Sequence, residues 1–479
     1  MKKSPSTTRR IFLFGIGVAA LIVILALPLP GEAPTGAVLD EKGRRALAGL
    51  AFALILWIGE VLPFHLTGIL AMGVLAILGS SSWSELVKTG FGDESTVFFI
   101  GVLALAAALG RSGLAARMGR KVLALTGDST RAIVFGFLVA GASLAMWVTA
   151  LAAAALMLPL AAGLLKGEGD EPGTGGFGRS LMMAVAWGPL IGALGAPSGS
   201  GSNPVVVRFL FELAGLELGF LDWMAFGVPI MVLLLPAAWF VIISIFPPDR
   251  RRLHGAQKKA VHTPQPLSRD EKAAAVVFLS VVALWLGSPL LKQILGWSPS
   301  IGMVAALGAV ALFLPGIGGF KWKDLEKDMD WAGVLLIATG IALGTALYKS
   351  GAAGWVAGVA FGSIGTLPNF WRLVAVVLGV LAVKVVFSSN TLTGTIIVPL
   401  VLSLGPALGI DVRLAALGAG LTANLAVILV TTSPVNVLPW STGYFSIKDM
   451  AIAGLAFAPV AALVIAAVLS IVGGCYGLL

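Results

Sequence analysis

The stretch Val97-Phe-Phe-Ile-Gly-Val-Leu-Ala-Leu-Ala-Ala-Ala-Leu-Gly-Arg-Ser-Gly113 recurs as Leu335-Leu-Ile-Ala-Thr-Gly-Ile-Ala-Leu-Gly-Thr-Ala-Leu-Tyr-Lys-Ser-Gly351. Both are apolar runs closed by a basic residue, a serine and a glycine. Further matches follow in the same order. Leu156-Met-Leu-Pro159 pairs with Ile396-Ile-Val-Pro399. The break at Ser202-Asn203-Pro204 pairs with Ser433-Pro434-Val435-Asn436, and Asp222-Trp-Met224 with Lys448-Asp-Met450. Shared composition would make one pair of Ala/Leu/Gly-rich helices look alike, but it does not place several matches in one order. The chain reads as a duplication. An odd number of membrane crossings between the copies inverts one relative to the other, as in secondary transporters with a mid-membrane site.

Composition fixes the medium. Of 479 residues, 58% are hydrophobic and 11% charged, where a soluble domain carries roughly 25% charged residues. With a mean hydropathy of +0.98, a soluble globule, a disordered chain and a collagen-like fibre are excluded. What remains is an all-α polytopic membrane protein, with length for roughly ten to twelve spans. The net charge of +9 does not indicate a nucleic-acid partner, because the basic residues sit in short segments between apolar runs. The single cysteine, Cys475, excludes a disulfide framework, and His65, His254 and His262 are too scattered for a metal site. No nucleophile–base pair, HExxH motif or paired intramembrane carboxylate is present, so the chain is not read as an enzyme.

The N-terminal segment Ile11–Pro30 is uncharged and follows Arg9 and Arg10. Its length and the spans after it mark a retained first helix rather than a signal peptide. Two apolar segments, 133–165 and 372–408, are too long for one span and are interrupted mid-way. Each is two spans, one tilted helix or a re-entrant hairpin. Basic clusters lie at Lys2, Lys3, Arg9 and Arg10, at Arg117, Arg120 and Lys121, and at Arg250, Arg251, Arg252, Lys258 and Lys259. All fall on the cytoplasmic side if 133–165 is a hairpin that leaves by the side it entered; Arg44 and Arg45 run the other way. The expected organisation is a first half, 1–248, a basic cytoplasmic linker, 249–271, and a second half, 272–479. The N-terminus is expected in the cytoplasm, in a bacterial inner (plasma) membrane.

The polar cluster Phe387-Ser388-Ser389-Asn390-Thr391-Leu392-Thr393-Gly394-Thr395 sits in the middle of 372–408. An unpaired backbone group in hydrocarbon costs several kcal/mol, so a non-helical tip there must line a cavity or bind something. Two half-helices meeting at it offer N–H groups to an anion and carbonyls to a cation. Interhelical hydrogen bonding is the competing reading. In Thr431-Thr432-Ser433-Pro434-Val435-Asn436, Pro434 removes a donor and frees carbonyls suited to Na⁺. Its partner is Gly195-Ala-Pro-Ser-Gly-Ser-Gly-Ser-Asn203-Pro204. Lys384 stands six residues before Asn390 among apolar residues, and is either functional or snorkelling to an interface. Arg208 and Glu212, four apart, are placed to pair.

Ser389-Asn390-Thr391 before a proline, the second break ending in Asn436, and Trp440-Ser-Thr-Gly-Tyr444 resemble the divalent anion:sodium symporter family. So do Trp57-Ile-Gly-Glu-Val-Leu-Pro63, Asp222-Trp-Met-Ala-Phe-Gly-Val-Pro229 and Asp330-Trp331. The resemblance implies about eleven spans and two re-entrant hairpins in inverted repeats, a homodimer, and a small anionic substrate: a dicarboxylate, tricarboxylate or sulfate. Na⁺ is the implied coupling ion. Position by position, it implies substrate contacts at Thr149, Asn390, Thr391, Asn203 and Asn436, with Lys384 added from its own depth. It implies Na⁺ contacts at Ser389, Asn390, Thr432, Ser433 and Asn436 in one half, and at Thr149, Gly199 and Asn203 in the other. The departure is the first tip. There Thr149-Ala150-Leu151 stands opposite Ser389-Asn390-Thr391, so an amide and a hydroxyl are missing. Na⁺-coupled symport is the expected mechanism; Na⁺-independent exchange or H⁺ coupling, with Lys384 in place of a cation, is the alternative, and an anion channel is a further one.

Overall fold

The computed structural model describes residues 7–253, 266–317, 319–361 and 367–478. Lys2, Lys3, His254, Lys258, Lys259 and His262 lie outside them. The described residues are helical, with one isolated bridge, Ser129 to Arg252, in place of any sheet.

Helix α1 (Thr7–Ala26) precedes two runs of helices with the same order. The first run is α2 (Glu41–Ile58), α3 (Phe64–Ile77), α4 (Trp83–Phe91), α5 (Glu94–Ser112), α6 (Leu114–Ala124), α7 (Thr130–Ala145), α8 (Ala150–Gly167), α9 (Gly176–Gly192), α10 (Ser202–Ala214) and α11 (Phe220–Ile245). The second is α12 (Arg269–Leu295), α13 (Ile301–Ala311), α14 (Trp322–Leu325), α15 (Trp331–Lys349), α16 (Ala352–Phe361), α17 (Asn369–Lys384), α18 (Asn390–Leu408), α19 (Val412–Thr422), α20 (Pro434–Trp440) and α21 (Ile447–Cys475). A single 3₁₀ turn lies in each gap between α9 and α10 and between α19 and α20: Pro197–Gly199 and Val430–Thr432.

The recurring sequence motifs are helix-end signals. Gly113 (φ 86°) and Gly351 (φ 76°) follow α5 and α15 in the left-handed region that glycine adopts freely. Ser112 donates to Leu109 O at 3.1 Å and Ser350 to Leu347 O at 3.0 Å, while Arg111 and Lys349 sit at the negative ends of the two helix dipoles. At the other ends, Asp93 accepts from Ser95 N and Asp330 from Gly333 N. Asp222 and Asp449 each accept from the residue three before, opening α11 and α21. This shifts the register of the sequence match there by one residue, because Asp222 answers to Asp449 rather than to Lys448.

Among the described residues, seven helices are long and apolar enough to cross a membrane singly: α1, α5, α8, α11, α12, α15 and α21. Adding α2, α3 and α13, treating α9/α10 and α19/α20 as one broken crossing each, and assigning α8 to a hairpin returns eleven crossings. The hairpins are α7/α8 and α17/α18. Each first arm packs on the following broken helix, α7 on α9 and α17 on α19. Cβ atoms at Gly188 and Gly192 would run into the backbone of Leu138 and Ala142, which is why α7 and α9 approach so closely. The halves are also exchanged: α5 packs on α13 and α15 on α3, α8 on α20 and α18 on α10.

Both ends of the first hairpin meet at one place. Thr130, opening α7, donates to Arg250 O and Arg251 O. Arg250 binds Glu168 at 3.3 Å and pairs with Asp170, just past α8. Asp249 accepts from Gly176 N at 2.6 Å, capping α9. The hairpin therefore leaves by the side it entered, beside the start of the basic linker. Burial pushes the Asp170 carboxyl above the usual carboxylate range, and Arg250 pulls against it. Replacing Arg250 with alanine removes a charge partner from Glu168 and from Asp170, whose side chains are almost fully buried. The expected cost is about 3 kcal/mol, read as a lower Tm of the solubilised protein; an unchanged Tm would contradict this anchoring role.

Candidate substrate and cation site

The two broken helices carry the same staple. Asn203 donates its side-chain amide to Ala193 O and Ala196 O, both at 2.8 Å. Asn436 donates to Ala426 O at 2.6 Å and Leu429 O at 3.4 Å. In each case the acceptors lie ten and seven residues back, and both side chains are fully buried. The unwinding frees carbonyls, and one asparagine amide per loop answers two of them. Both amide groups thus face their own loops.

The hairpin tips are also built alike. Thr149 Oγ1 accepts from Ala152 N and Ser389 Oγ from Leu392 N, both at 3.3 Å, so each side chain caps the second arm of its hairpin. The tips differ in how they are tied to the adjacent loops. At the first, Ser198 Oγ donates to Met146 O at 3.0 Å. At the second, the Lys384 ammonium donates to Thr432 O at 2.9 Å and Phe387 O at 3.3 Å. Lys384 is 2% exposed, so it does not reach an interface. Thr432 and Gly199 are the last residues of the two 3₁₀ turns, four before Asn436 and Asn203, and so are counterparts. Ser433 caps α20, accepting from Val435 N.

A chain of amides and hydroxyls joins the two halves. Ser202 Oγ donates to Asn424 Oδ1 and Asn424 Nδ2 to Asn203 Oδ1, both at 2.8 Å. Ser200 and Ser202 hydroxyls lie 3.2 Å apart. Asn390 Nδ2 reaches Asn424 O at 3.5 Å, and Asn390 Oδ1 is buried without a hydrogen-bond partner among the described residues. A Cβ on Gly201 would meet Thr391 Oγ1 at 2.6 Å, which places the second tip against the first broken helix. Ser389, Asn390 and Thr391 are half-buried there, at the N-terminus of α18, where amide N–H groups point outward. The structure brings Asn390 and Asn203 into one network through Asn424, sets Thr391 beside Gly201, and joins Lys384 to Thr432. Asn424 joins this network and was not among the expected residues; Ser198, Ser200 and Ser202 lie in the expected first break but were not singled out within it. Asn424 is an asparagine inside the apolar run 411–431, and that was its signal.

Farther along α10, Arg208 pairs with Glu212 at 2.5 Å, as its spacing predicts, and also with Asp93. Lys349 reaches Glu212 at 3.5 Å.

The family described as "Sodium:sulfate symporter transmembrane region" matches residues 9–479. The chain belongs to that family. Among its relatives, a sodium-dependent dicarboxylate transporter, SdcS, of Staphylococcus saprophyticus is 29% identical over 436 residues, covering 87% of this chain and 83% of the relative. The SdcS of Staphylococcus aureus strain MRSA252 is 28% identical over 472 residues, covering 95% and 89%. Among solved structures, the YdaH transporter of Alcanivorax borkumensis, described as having an unusual topology, shares the fold over 98% of both chains, with a TM-score of 0.57 and 15% identity. The chain is thus a multi-pass membrane transporter of the symporter family.

Truncating Asn203 or Asn436 to alanine takes a donor from two loop carbonyls in each case; Ala196 O keeps Gly199 N and Leu429 O keeps Thr432, while Ala193 O or Ala426 O loses its asparagine amide. We expect each variant to lose roughly 1–3 kcal/mol, seen as a lower Tm. Melting like the wild type would show that the loops are held by other means.

Proposed function

We propose that the protein is a secondary active transporter that carries a small dicarboxylate or sulfate across the bacterial inner membrane, driven by Na⁺. The observation that carries this reading is the meeting of the second hairpin tip with the first broken helix through Asn390, Thr391, Asn424 and Ser202. The names of the staphylococcal relatives support a dicarboxylate and Na⁺; the family description supports sulfate.

The chemistry follows from the ends of the half-helices. The N-terminus of α18 and the Asn390 amide offer N–H donors to a carboxylate or sulfate oxygen, and the Thr391 hydroxyl adds another. The first tip contributes Thr149 but no amide, because Ala150 stands opposite Asn390. The anion is therefore held chiefly from the second half, which favours a compact dianion. Carbonyls released by the unwinding, including that of Gly199, suit a cation. Each half counts five crossings, an odd number, so the halves are inverted and meet at the linker 249–271. Alternating access then moves one hairpin and broken helix of each half against a scaffold formed by the exchanged α3/α15 and α13/α5 contacts. The start of the linker and Arg117 lie on the cytoplasmic side, and α1 starts there. A homodimer is the assembly that the family resemblance supports.

Asn390→Ala removes the donor best placed for the anion. A hydrogen bond to a charged group is worth about 1.5–3 kcal/mol, so kcat/KM for uptake into proteoliposomes is expected to fall by at least about tenfold. Uptake at the wild-type rate and affinity would remove Asn390 from the site and with it the reading.

A further inference from the structure

We infer that the Lys384 ammonium is the second half's own cation, so that no soluble coupling ion is bound between the second tip and its loop. The inference rests on the transport reading above and says which half takes Na⁺.

Lys384 lies in the last turn of α17, at the negative end of that half-helix. Its two acceptors are carbonyls, one from the tip (Phe387) and one from the 3₁₀ turn of the unwound loop (Thr432). This is a cation's position: a broken half-helix ends there, and freed carbonyls converge from two segments. A charge at this depth has to be answered by partners, and among the described residues no carboxylate lies within ion-pairing reach of Lys384. The carbonyls and the helix end answer it. Lys384 lines a crevice with Leu381, Val385, Leu425, Ala426 and Thr432 that is too narrow for a water molecule.

The first half does not repeat this device. The offset that sets Thr149 opposite Ser389 places Leu144 opposite Lys384, and Leu144 is buried and apolar. The neutral Ser198 hydroxyl, not a charge, ties that tip to its loop. Among the described residues, the carbonyl of Gly199, counterpart of Thr432, meets no lysine. A tethered ammonium also differs from Na⁺ in bookkeeping: it returns with the carrier on every cycle and adds no net charge, whereas a bound Na⁺ is released on the far side.

The test compares wild type, Lys384→Ala and Lys384→Met in two assays. In proteoliposomes with radiolabelled succinate or sulfate, reversal potentials at fixed Na⁺ gradients give the charge carried per anion. Lys384→Ala vacates the cation position, and the net charge carried with each anion should become more positive by about one elementary charge, with a steeper dependence on Na⁺. Lys384→Met keeps the space filled and should gain no Na⁺ dependence. The second assay needs no transport: thermal unfolding in Na⁺ against choline. The Na⁺-specific rise in Tm should be larger for Lys384→Ala than for wild type or Lys384→Met, since a ligand that binds only the folded state raises Tm. Equal rises in all three, an unchanged charge per anion in Lys384→Ala, or unfolding of Lys384→Ala in Na⁺ and choline alike would overturn the inference. Wild-type protein that moves neither anion would instead overturn the transport reading, while the unfolding comparison would still decide the role of Lys384.

Discussion

A helix that breaks inside a membrane releases backbone carbonyls and amides where no lipid can hydrogen-bond them, and the rest of this structure is arranged around that constraint. Two broken crossings and two hairpin tips make the breaks. Asn203 and Asn436 absorb the carbonyls with the same ten-and-seven spacing, and Thr149 and Ser389 cap the returning arms with the same spacing. Groups left over at the tips are what a transported ion can use.

The parallel is incomplete, and the differences bear on function. One tip presents Asn390 and Thr391, the other Ala150 and Leu151. One tip is tied to its loop by a charge, the other by a hydroxyl. Asn424 has no polar counterpart in the first half: subtracting the spacing between Asn436 and Asn203 gives Ile191, fully buried. Duplication supplied two like frames, and the amide and hydroxyl side chains at the tips are concentrated in one of them. The exchanged packing of α3 on α15 and α13 on α5 keeps the frames interdependent, so neither half is a free-standing unit.

Much of the frame was legible in the chain. The motif ending in Arg-Ser-Gly and Lys-Ser-Gly repeats because a helix end needs a left-handed glycine, and that requirement is local. The polar cluster Phe387–Thr395 was visible because polar residues in an apolar run have few structural excuses, and the repeat pointed from it to the first tip at Thr149. The register of the last match was off by one residue, since Asp222 and Asp449 are equivalent as caps rather than as neighbours of similar letters. What the chain did not reveal was direction. Asn203 and Asn436 stood out as polar groups at a break, and only the fold shows their amides turned back on their own loops. Lys384 was ambiguous between an interface and a site because depth is a tertiary property. Asn424 was passed over because its partners, Ser202 and Asn203, lie more than two hundred residues away.

The measurement that bears most directly on the whole account is the steady-state level of radiolabelled succinate and sulfate inside proteoliposomes, with an inward Na⁺ gradient and with choline in its place. The account predicts accumulation of at least one anion above its external concentration in Na⁺, and loss of that accumulation in choline. Uptake that stops at equilibrium under every imposed gradient would contradict it and make the protein a passive anion pathway.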